Sequence, residues 1–284
     1  MSSPDAVARL DAVIASVLAP NPGPMTLSGT NTWVVGDPAA GPVVIVDPGP
    51  DDGAHLARVL EVADGRVATT VLTHRHLDHS EGAAAFAALS GSGVRAVDPT
   101  WRVGDEGLVD GDVVELPGAT LKVLETPGHT SDSVSLLLTH GGGCDLLTGD
   151  TVLGLGSTVI THPDGDLGAY LASLDRLVAL VAERNVARIL PGHGPVVEEP
   201  ERVLRAYREH RLDRLAQVRD ALAGGAQTVA EVLAVVYPQV LGTPLEQAAA
   251  QSVRAQLDHL TADDAGSSPA LRTRTATPQG RPAS

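Results

Sequence analysis

The amino-acid sequence predicts an α+β fold, in which two mixed β-sheets carry helices on their outer faces and a separate helical region follows. Three observations support this prediction. Short apolar runs of strand-like composition recur up to residue 190, with helical segments between some of them. Several of these runs end close to His or Asp residues, as expected for functional loops at one edge of a sheet. After about residue 198 the strand-like runs cease and helical periodicity continues alone.

The first half of the chain alternates strand-like runs with helical segments. Turn residues bound the first two runs, and the Pro48-Gly49 pair directly follows the second. We expect strands at 26–36, 43–47, 67–73 and 94–97, and helices at 52–64 and 83–89.

The second half begins with closely spaced strand-like runs and then forms one amphipathic helix. Leu167, Tyr170, Leu174 and Leu177 recur at helical spacing, so residues 167–182 are expected to bury one helix face. The expected strands are 113–116, 121–124, 133–138, 144–148 and 186–190.

Composition changes divide the chain into three parts. Residues 1–198 form the expected catalytic domain, and residues 199–262 a helical domain. The helical domain contains a long Arg-rich helix at 200–223, with shorter helices at 228–236 and 244–260. Residues 263–284 are rich in Ser, Pro, Thr, Ala, Gly and Arg and lack apolar periodicity, which predicts a disordered tail.

Charge and cysteine content exclude several classes of protein. The net charge of −15 argues against broad, non-specific nucleic-acid binding. The single cysteine, Cys144, excludes an internal disulfide framework and is expected at the start of a buried strand. An apolar stretch at 12–18 has no basic segment before it, and no apolar run is long enough to cross a membrane. A cytoplasmic protein without a membrane partner is therefore expected.

The most informative motif is His74-x-His76-x-Asp78-His79, directly behind a predicted strand. On an extended segment, residues two apart point the same way, so His74 and His76 can bind one ion. Asp78 and His79 stand at the expected start of a helix and face another direction, which suits a second ion. Imidazole and carboxylate ligands favour zinc, with manganese and iron as alternatives.

Other residues complete this ligand set from distant parts of the chain. His129 and His193 each follow Pro-Gly after a predicted strand, and Asp150 follows a strand where its two oxygens could bridge two ions. Asp47 has two interpretations: it orients a ligand from behind, or it caps the turn before Pro48. The isolated residues His140, His162 and His259 are expected to be ordinary surface or core histidines.

These motifs, in this order, resemble the metallo-β-lactamase-fold hydrolases over about residues 20–197. The resemblance implies a four-layer αββα sandwich. It also implies two divalent metal ions: one bound by His74, His76 and His129, the other by Asp78, His79 and His193, with Asp150 between them. Asp78 is further expected to orient the attacking nucleophile or to accept its proton.

Further runs resemble the β-lactamase-like-protein-2 branch of that superfamily, including Gly29-Thr30-Asn31-Thr32 and Tyr207-Arg208-Glu209-His210-Arg211. The resemblance implies a C-terminal winged-helix-like domain at 199–262. It also implies a phosphodiester substrate, because the best-studied members of the branch are single-strand endoribonucleases.

Two other activities compete with cleavage of single-stranded RNA. The first is hydrolysis of a small-molecule thioester or lactone, as in enzymes that resemble hydroxyacylglutathione hydrolase. The acidic composition suits such a small substrate at least as well as it suits RNA. A persulfide dioxygenase would need one iron ion, held only by His74, His129 and Asp150. A di-iron redox protein of this fold usually has Glu where His76 stands, and antibiotic hydrolysis would require an export signal.

A row of arginines in the long helix bears on the RNA hypothesis. Residues three apart drift around a helix, so the row cannot line one face, although two or three members could contact nucleic acid. Glu201 and Glu209 each lie four residues from Arg205, which favours a helix with exposed ion pairs. The arginines are Arg202, Arg205, Arg208, Arg211 and Arg214.

Overall fold

The computed structural model describes residues 6–104 and 107–267, in which two β-sheets pack face to face. The first sheet has six strands, β1 to β6, which lie in sequence order. The pairings from β1 to β4 are antiparallel, whereas β5 pairs parallel to both β4 and β6. The carboxyl ends of β4 and β5 therefore lie at one edge. The strands are Val7–Arg9, Ile14–Leu18, Asn31–Val35, Val43–Val46, Val67–Val71 and Gly93–Arg95.

The second sheet has five strands, β7 to β11, in the reverse order β11-β10-β9-β8-β7. Strand β9 is antiparallel to both β8 and β10, and β11 is parallel to β10. Strands β8, β10 and β11 consequently share a direction, and their carboxyl ends lie at the same edge of the sheet. The strands are Val113–Leu116, Ala119–Glu125, Val134–His140, Gly143–Gly149 and Val186–Pro191.

Helices connect the parallel strands and continue beyond the second sheet. Helix α1 joins β4 to β5, α2 and α3 join β5 to β6, and α4 joins β10 to β11. Helices α5, α6 and α7 follow β11. The helices are Gly53–Val62, Leu77–Ser80, Ala83–Ser90, Leu167–Arg184, Pro200–Ala223, Val229–Val236 and Glu246–Ser267.

Alternating side chains give each sheet two buried faces. In β4, Val44 and Val46 face the second sheet, while Val43 and Ile45 pack beneath α1 and α3. In β9, Leu136 and Leu138 fill the core between the sheets, and Leu137 belongs to the cluster under α4 and α5. The architecture is therefore a four-layer αββα sandwich, which confirms the predicted fold class.

The C-terminal helices form their own apolar cluster, to which α4 also contributes. Val218 of α5, Val232 of α6 and Val253 of α7 are fully buried in it. Within the described part of the chain no strand follows β11, so the wing implied by the resemblance is not seen. Helix α7 continues to Ser267, past the expected boundary at 262. The remainder of the predicted tail, 268–284, lies outside the described residues.

The N-terminal region departs from the sequence-based prediction. The apolar stretch at 12–18 is not left outside the fold: it forms β2 and pairs with β3, while β1 adds the sheet edge. The strand expected at 26–36 begins only at Asn31, because Leu27 takes a φ of 56° and Thr26 closes a turn onto Gly29. Among the described residues, no helix is long and apolar enough to cross a membrane.

Candidate metal centre

Seven His and Asp side chains meet at the edge where the carboxyl ends of four strands, β5, β8, β10 and β11, converge. The loop after β5 and the helix α2 that follows it supply four of them, and loops after β8, β10 and β11 supply the others. The sheet topology thus brings together residues that are more than 100 positions apart in sequence, such as His79 and His193. The seven are His74, His76, Asp78, His79, His129, Asp150 and His193.

Three histidines form the first part of the centre. His76 Nδ1 lies 3.1 Å from His74 Nε2 and 3.0 Å from His129 Nε2. The imidazole rings meet edge to face, so one nitrogen of each ring points at a shared space. Three imidazole nitrogens so arranged form one face of a tetrahedral ligand set.

The second part of the centre combines two histidines with Asp78. Nε2 of His79 and Nε2 of His193 are 3.2 Å apart, and Asp78 Oδ2 lies 3.1 Å from the latter. Asp150 stands between the two parts. Its Oδ1 is 3.4 Å from His79 Nε2, and its Oδ2 is 3.9 Å from His129 Nε2. One carboxylate therefore reaches both groups of imidazoles.

The outer nitrogens of four histidines contact groups of the surrounding chain. Nδ1 of His129 is 2.6 Å from the Val159 carbonyl, and Nδ1 of His193 is 3.2 Å from the Gly29 carbonyl. A carbonyl only accepts hydrogen bonds, so each Nδ1 must carry a proton, and each Nε2 is left facing the centre. Nδ1 of His74 lies 3.1 Å from Thr73 Oγ1. These contacts fix both ring orientation and tautomer.

Asp47 holds the fourth of these rings. Its Oδ2 lies 2.8 Å from His79 Nδ1 and also accepts from Thr73 Oγ1 at 2.6 Å, while Oδ1 accepts from the Thr73 backbone N–H at 2.7 Å. Asp47 is buried and has a φ of 53°, a costly conformation for a residue other than glycine. Of the two interpretations of Asp47, the contacts match the orienting one.

Two glycines allow the strands to approach this closely. A Cβ on Gly192 would lie 2.6 Å from Asp150 Oδ1 and 2.7 Å from His79 Cε1, inside the centre. A Cβ on Gly149 would meet Thr73 Oγ1 at 2.4 Å, and its φ is 47°. Both positions therefore require glycine for reasons of space, and Gly149 also for its backbone conformation.

Electrostatics keep the carboxylates ionised. Burial alone would raise the pKa of Asp78, but His79 and His193 outweigh it and lower that pKa to about 2. The pKa of Asp150 lies well below 3.8 for the same reason, with His193 and His79 overcoming burial. Burial lowers the pKa of His129 to about 4, so that ring is neutral at pH 7. Burial also tends to lower the pKa of His193, but Asp150 outweighs it and raises that pKa to about 9.

This charge distribution fits divalent cations. Two ionised carboxylates are enclosed with imidazoles, and the nitrogens of His79 and His193 can share one proton between them. A metal ion competes with that proton, because a ligating imidazole must be unprotonated. Oδ1 of Asp150 is buried and has no hydrogen-bond partner among the described residues. Such an orphaned oxygen is costly unless a cation binds it, so the donor set fits two metal ions.

A cavity of about 190 Å³ opens onto the centre. Besides the candidate ligands, its walls include Met25, Val159 and Thr161 from the sandwich. Ala248 and Gln251 come from α7, so the C-terminal helices form one wall of the cleft. Access to the centre is therefore shaped by both predicted domains.

The first four arginines of the predicted row on α5 do not form a free basic surface. Arg202 pairs with Glu199, Arg205 with Glu201, and Arg208 with Asp175. Arg211 is buried, donates to the Thr158 carbonyl and lies over the Tyr170 ring. The contacts match the ion-pair interpretation for the first three arginines and add a structural role for Arg211.

Several residues with a role at the centre carry no motif of their own. Thr158 Oγ1 lies 3.2 Å from His129 Nδ1, beside the Val159 carbonyl. A backbone carbonyl is present at every position, so the sequence gives no signal for Val159. The same holds for the Gly29 carbonyl, whereas Thr73 directly precedes the His74-x-His76-x-Asp78-His79 motif and could have been assigned a role from that position.

Comparison with known proteins agrees with the geometry. A 236-residue region is 33% identical to a beta-lactamase-like protein 2 homolog of Drosophila melanogaster, covering 75% of each chain. An atrochrysone carboxyl ACP thioesterase of Aspergillus chevalieri is 34% identical and covers 82% of this chain and 76% of its own. The fold matches a metallo-beta-lactamase family protein from Thermus thermophilus, with a TM-score of 0.74, 23% identity, and coverage of 90% and 96%. Residues 25–193 match the model of the metallo-beta-lactamase superfamily, and the chain belongs to that superfamily.

Proposed function

We propose that this metal-dependent hydrolase cleaves acyl thioesters, with two zinc ions held by the seven side chains of the centre. The observation that carries the metal-dependent part is the convergence of these donors around the orphaned Asp150 oxygen. His74, His76 and His129 would hold one ion, and Asp78, His79 and His193 the other, with Asp150 shared. Imidazole and carboxylate donors suit zinc.

Two cations bound there would make water nucleophilic at neutral pH and stabilise the negative charge that develops on a carbonyl oxygen. The chain itself orients the groups around that reaction. Asp78 is ionised and partly exposed to the cleft, so its carboxylate can accept a hydrogen bond from the attacking water and orient it. The α7 wall and Met25 narrow the cleft and limit the approach of bulk water.

The charge of the cleft wall supports a carbonyl substrate. None of the described residues that line the cleft is Lys or Arg. Proteins that bind a phosphodiester backbone rely on such side chains to neutralise the phosphates. A thioester is neutral at its reacting carbon and needs no such partner.

The leaving group supports the same choice. A thiol has a pKa of about 8.5, so a thiolate can depart without receiving a proton. An alkoxide is a much poorer leaving group, and its departure is assisted by a general acid that protonates the oxygen. Thr161 and Gln251 are the polar side chains of the described cleft wall outside the candidate ligands, and neither is an effective acid.

Relatives add support from a different direction. Atrochrysone carboxyl ACP thioesterases from Aspergillus chevalieri and Aspergillus fumigatus are 34% and 31% identical to this chain. Their names describe hydrolysis of an acyl group carried as a thioester.

Phosphodiester cleavage is the second candidate, favoured by resemblance to the β-lactamase-like-protein-2 branch and by basic side chains beyond the cleft wall, at Arg211 and Arg214.

A substrate panel tests the proposal. Purified protein is assayed on S-acetyl-N-acetylcysteamine, on its oxygen-ester analogue and on a single-stranded RNA oligonucleotide, beside an Asp150→Asn control. We expect the thioester to have the highest kcat/KM, with turnover that depends on Asp150. RNA cleavage that depends on Asp150, together with no thioester turnover, would replace this proposal with the phosphodiesterase one.

A further inference from the structure

A second cavity adjoins the metal cleft on the side of the C-terminal helices. Its volume is about 190 Å³, and it shares Val159 and Ala248 with the cleft as walls. Successive residues of α7 serve the two spaces, since Gln251 lines the cleft and Ser252 the second cavity. A substrate bound at the metal centre could therefore extend into this neighbouring space.

The charge of the second cavity is opposite to that of the protein. His210, Arg211 and Arg214 line it, and none of the described residues in its wall is Asp or Glu. The whole chain carries a net charge of −15. The wall of this cavity thus has two guanidinium groups and no carboxylate, although the protein as a whole is acidic. The electrostatic potential inside the cavity is therefore positive. We call this space the basic pocket.

Arg214, one of the cations of the basic pocket, has no carboxylate partner among the described residues, unlike Arg202, Arg205 and Arg208 of the same helix. The described hydrogen bonds of Arg214 run to the Gln217 side-chain oxygen and the Val236 carbonyl, both uncharged, and its guanidinium lies over the Tyr237 ring. By contrast, Arg205 on the same helix pairs with Glu201 at 2.7 Å. Arg214 thus keeps its full charge for a ligand.

Arg211 adds an unsatisfied donor. The residue is 3% exposed, and its Nε is buried without a hydrogen-bond partner among the described residues. His210 is half-buried, and its pKa is lowered by burial first and then by Arg211 and Arg214, which together outweigh the opposing effect of Asp213. The imidazole therefore senses both guanidinium charges.

We propose that the basic pocket binds an anionic group, a phosphate or a carboxylate, on the part of the substrate remote from the reacting carbonyl. This inference rests on the proposed thioesterase function and specifies its substrate class: a thioester whose thiol portion carries a negative charge. The neutral carbonyl of the thioester lies at the metal centre, and the guanidinium of Arg214 contacts the negatively charged end of the thiol portion. Charge-assisted hydrogen bonds of this kind are about twice as strong as neutral ones.

Three acetyl thioesters distinguish the sources of the anion. The thiols are N-acetylcysteamine, which is neutral, N-succinylcysteamine, which bears a carboxylate, and 4′-phosphopantetheine, which bears a phosphate. The readout is the ratio of kcat/KM for each anionic probe to that for the neutral probe. We expect a ratio of about ten for at least one anionic probe, equivalent to one charge-assisted contact.

Variants locate that preference. Arg214→Gln should reduce the ratio to near one. Because Arg214 also contacts the Val236 carbonyl, a second variant, Gln239→Glu, places a carboxylate at an exposed position of the pocket wall and should lower the ratio without disturbing the core. Arg205→Gln removes a paired arginine of the same helix and should leave the ratio as in the parent protein.

The proposal is overturned if the parent protein shows no preference for either anionic probe, or if Arg214→Gln and Gln239→Glu both keep the parent ratio. A ratio that falls equally in Arg205→Gln would assign the preference to overall charge and also overturn it. If no thioester is hydrolysed, the proposed function fails separately. In that case the binding affinities of the uncleaved probes are measured by calorimetry. The ratio of the affinity for each anionic probe to that for the neutral probe then decides whether the basic pocket binds an anion.

Discussion

Two regions of the molecule gather His and Asp side chains, yet only one is suited to bind metal. The candidate metal centre lies at the carboxyl ends of β5, β8, β10 and β11. A second group, Asp11, His140 and Asp145, also brings its ligand-type atoms within 4.8 Å of one another. In that second group Arg188 lies 2.9 Å from Asp11 and 2.8 Å from Asp145. We call it the arginine cluster.

The difference lies in the source of the positive charge. In the arginine cluster, a guanidinium from β11 already neutralises the buried Asp145 carboxylate with two hydrogen bonds, and His140 adds a third at 2.8 Å. In the metal centre no Lys or Arg contacts Asp150 among the described residues, and its Oδ1 has no hydrogen-bond partner. A group of ligand-type residues thus indicates a metal site only where the chain does not supply a permanent cation, such as a guanidinium, that a metal ion cannot displace.

The largest expected effect follows from removing the shared carboxylate of the metal centre. Asp150→Asn keeps the shape of the side chain but removes the charge that reaches both groups of imidazoles. We expect activity to fall by more than about 100-fold, beyond the usual cost of losing an outer partner of a ligand. Steady-state kinetics and elemental analysis measure the loss. Asp145→Asn is the matched control in the arginine cluster and should retain bound metal; equal metal loss in both variants would contradict the distinction.

Removing the partner of one ligand should have a smaller effect. Asp47→Asn weakens the contact that orients the His79 ring while leaving the seven candidate ligands intact. We expect metal affinity to fall by about 10-fold to 100-fold. Competition with a chelator gives the affinity, and excess Zn²⁺ should restore most of the activity. Activity that stays low at saturating Zn²⁺ would show that Asp47 does more than orient His79.

In the arginine cluster, loss of the internal cation should affect stability instead of activity. Arg188→Met leaves Asp145 buried without its charge partner. We expect the free energy of unfolding to fall by about 2 kcal/mol, less than for a fully buried pair because Arg188 is partly exposed. Denaturant titration measures the change, and metal content should match the parent. A loss of metal without loss of stability would contradict the assignment of this cluster.

The smallest effect concerns pH. Burial would raise the pKa of Asp145, but Arg188 and His140 outweigh it, so the pKa lies below its ordinary value of 3.8. Because the pKa of Asp145 is lower in the folded than in the unfolded state, its ionised form stabilises the protein. This contribution is fully present at pH values above the unfolded-state pKa and is lost as the pH falls through the folded-state pKa. The stability difference between parent and Arg188→Met should therefore be constant at neutral pH and shrink below about pH 4. A difference that grows on acidification would refute this account.

The sequence predicted which His and Asp residues converge more completely than it predicted the groups around them. The strand-terminal motifs include all seven converging residues, because a strand followed by His or Asp indicates both the element and the candidate ligand. The contacts that orient the rings were less visible: Thr158 and the Val159 carbonyl reach His129 through a loop that only the tertiary fold positions.

The outer elements were predicted unevenly for physical reasons. Helix α5 has the predicted bounds of 200–223, since Pro200 starts it and a Gly pair follows it. Strands β1 and β2 were missed because they are short and owe their stability to pairing, β1 with β2 and β2 with β3. The basic pocket could not be predicted from the arginine row, because only tertiary contacts distinguish Arg214 from the paired Arg205.

We propose above that seven side chains form a centre for two metal ions. Elemental analysis of the protein, saturated with Zn²⁺ and then freed of excess metal, tests it most directly. We expect about two zinc ions per chain in the parent protein and about one in Asp150→Asn. A parent protein that retains a single iron ion and binds no second metal would contradict the account and favour the persulfide dioxygenase alternative.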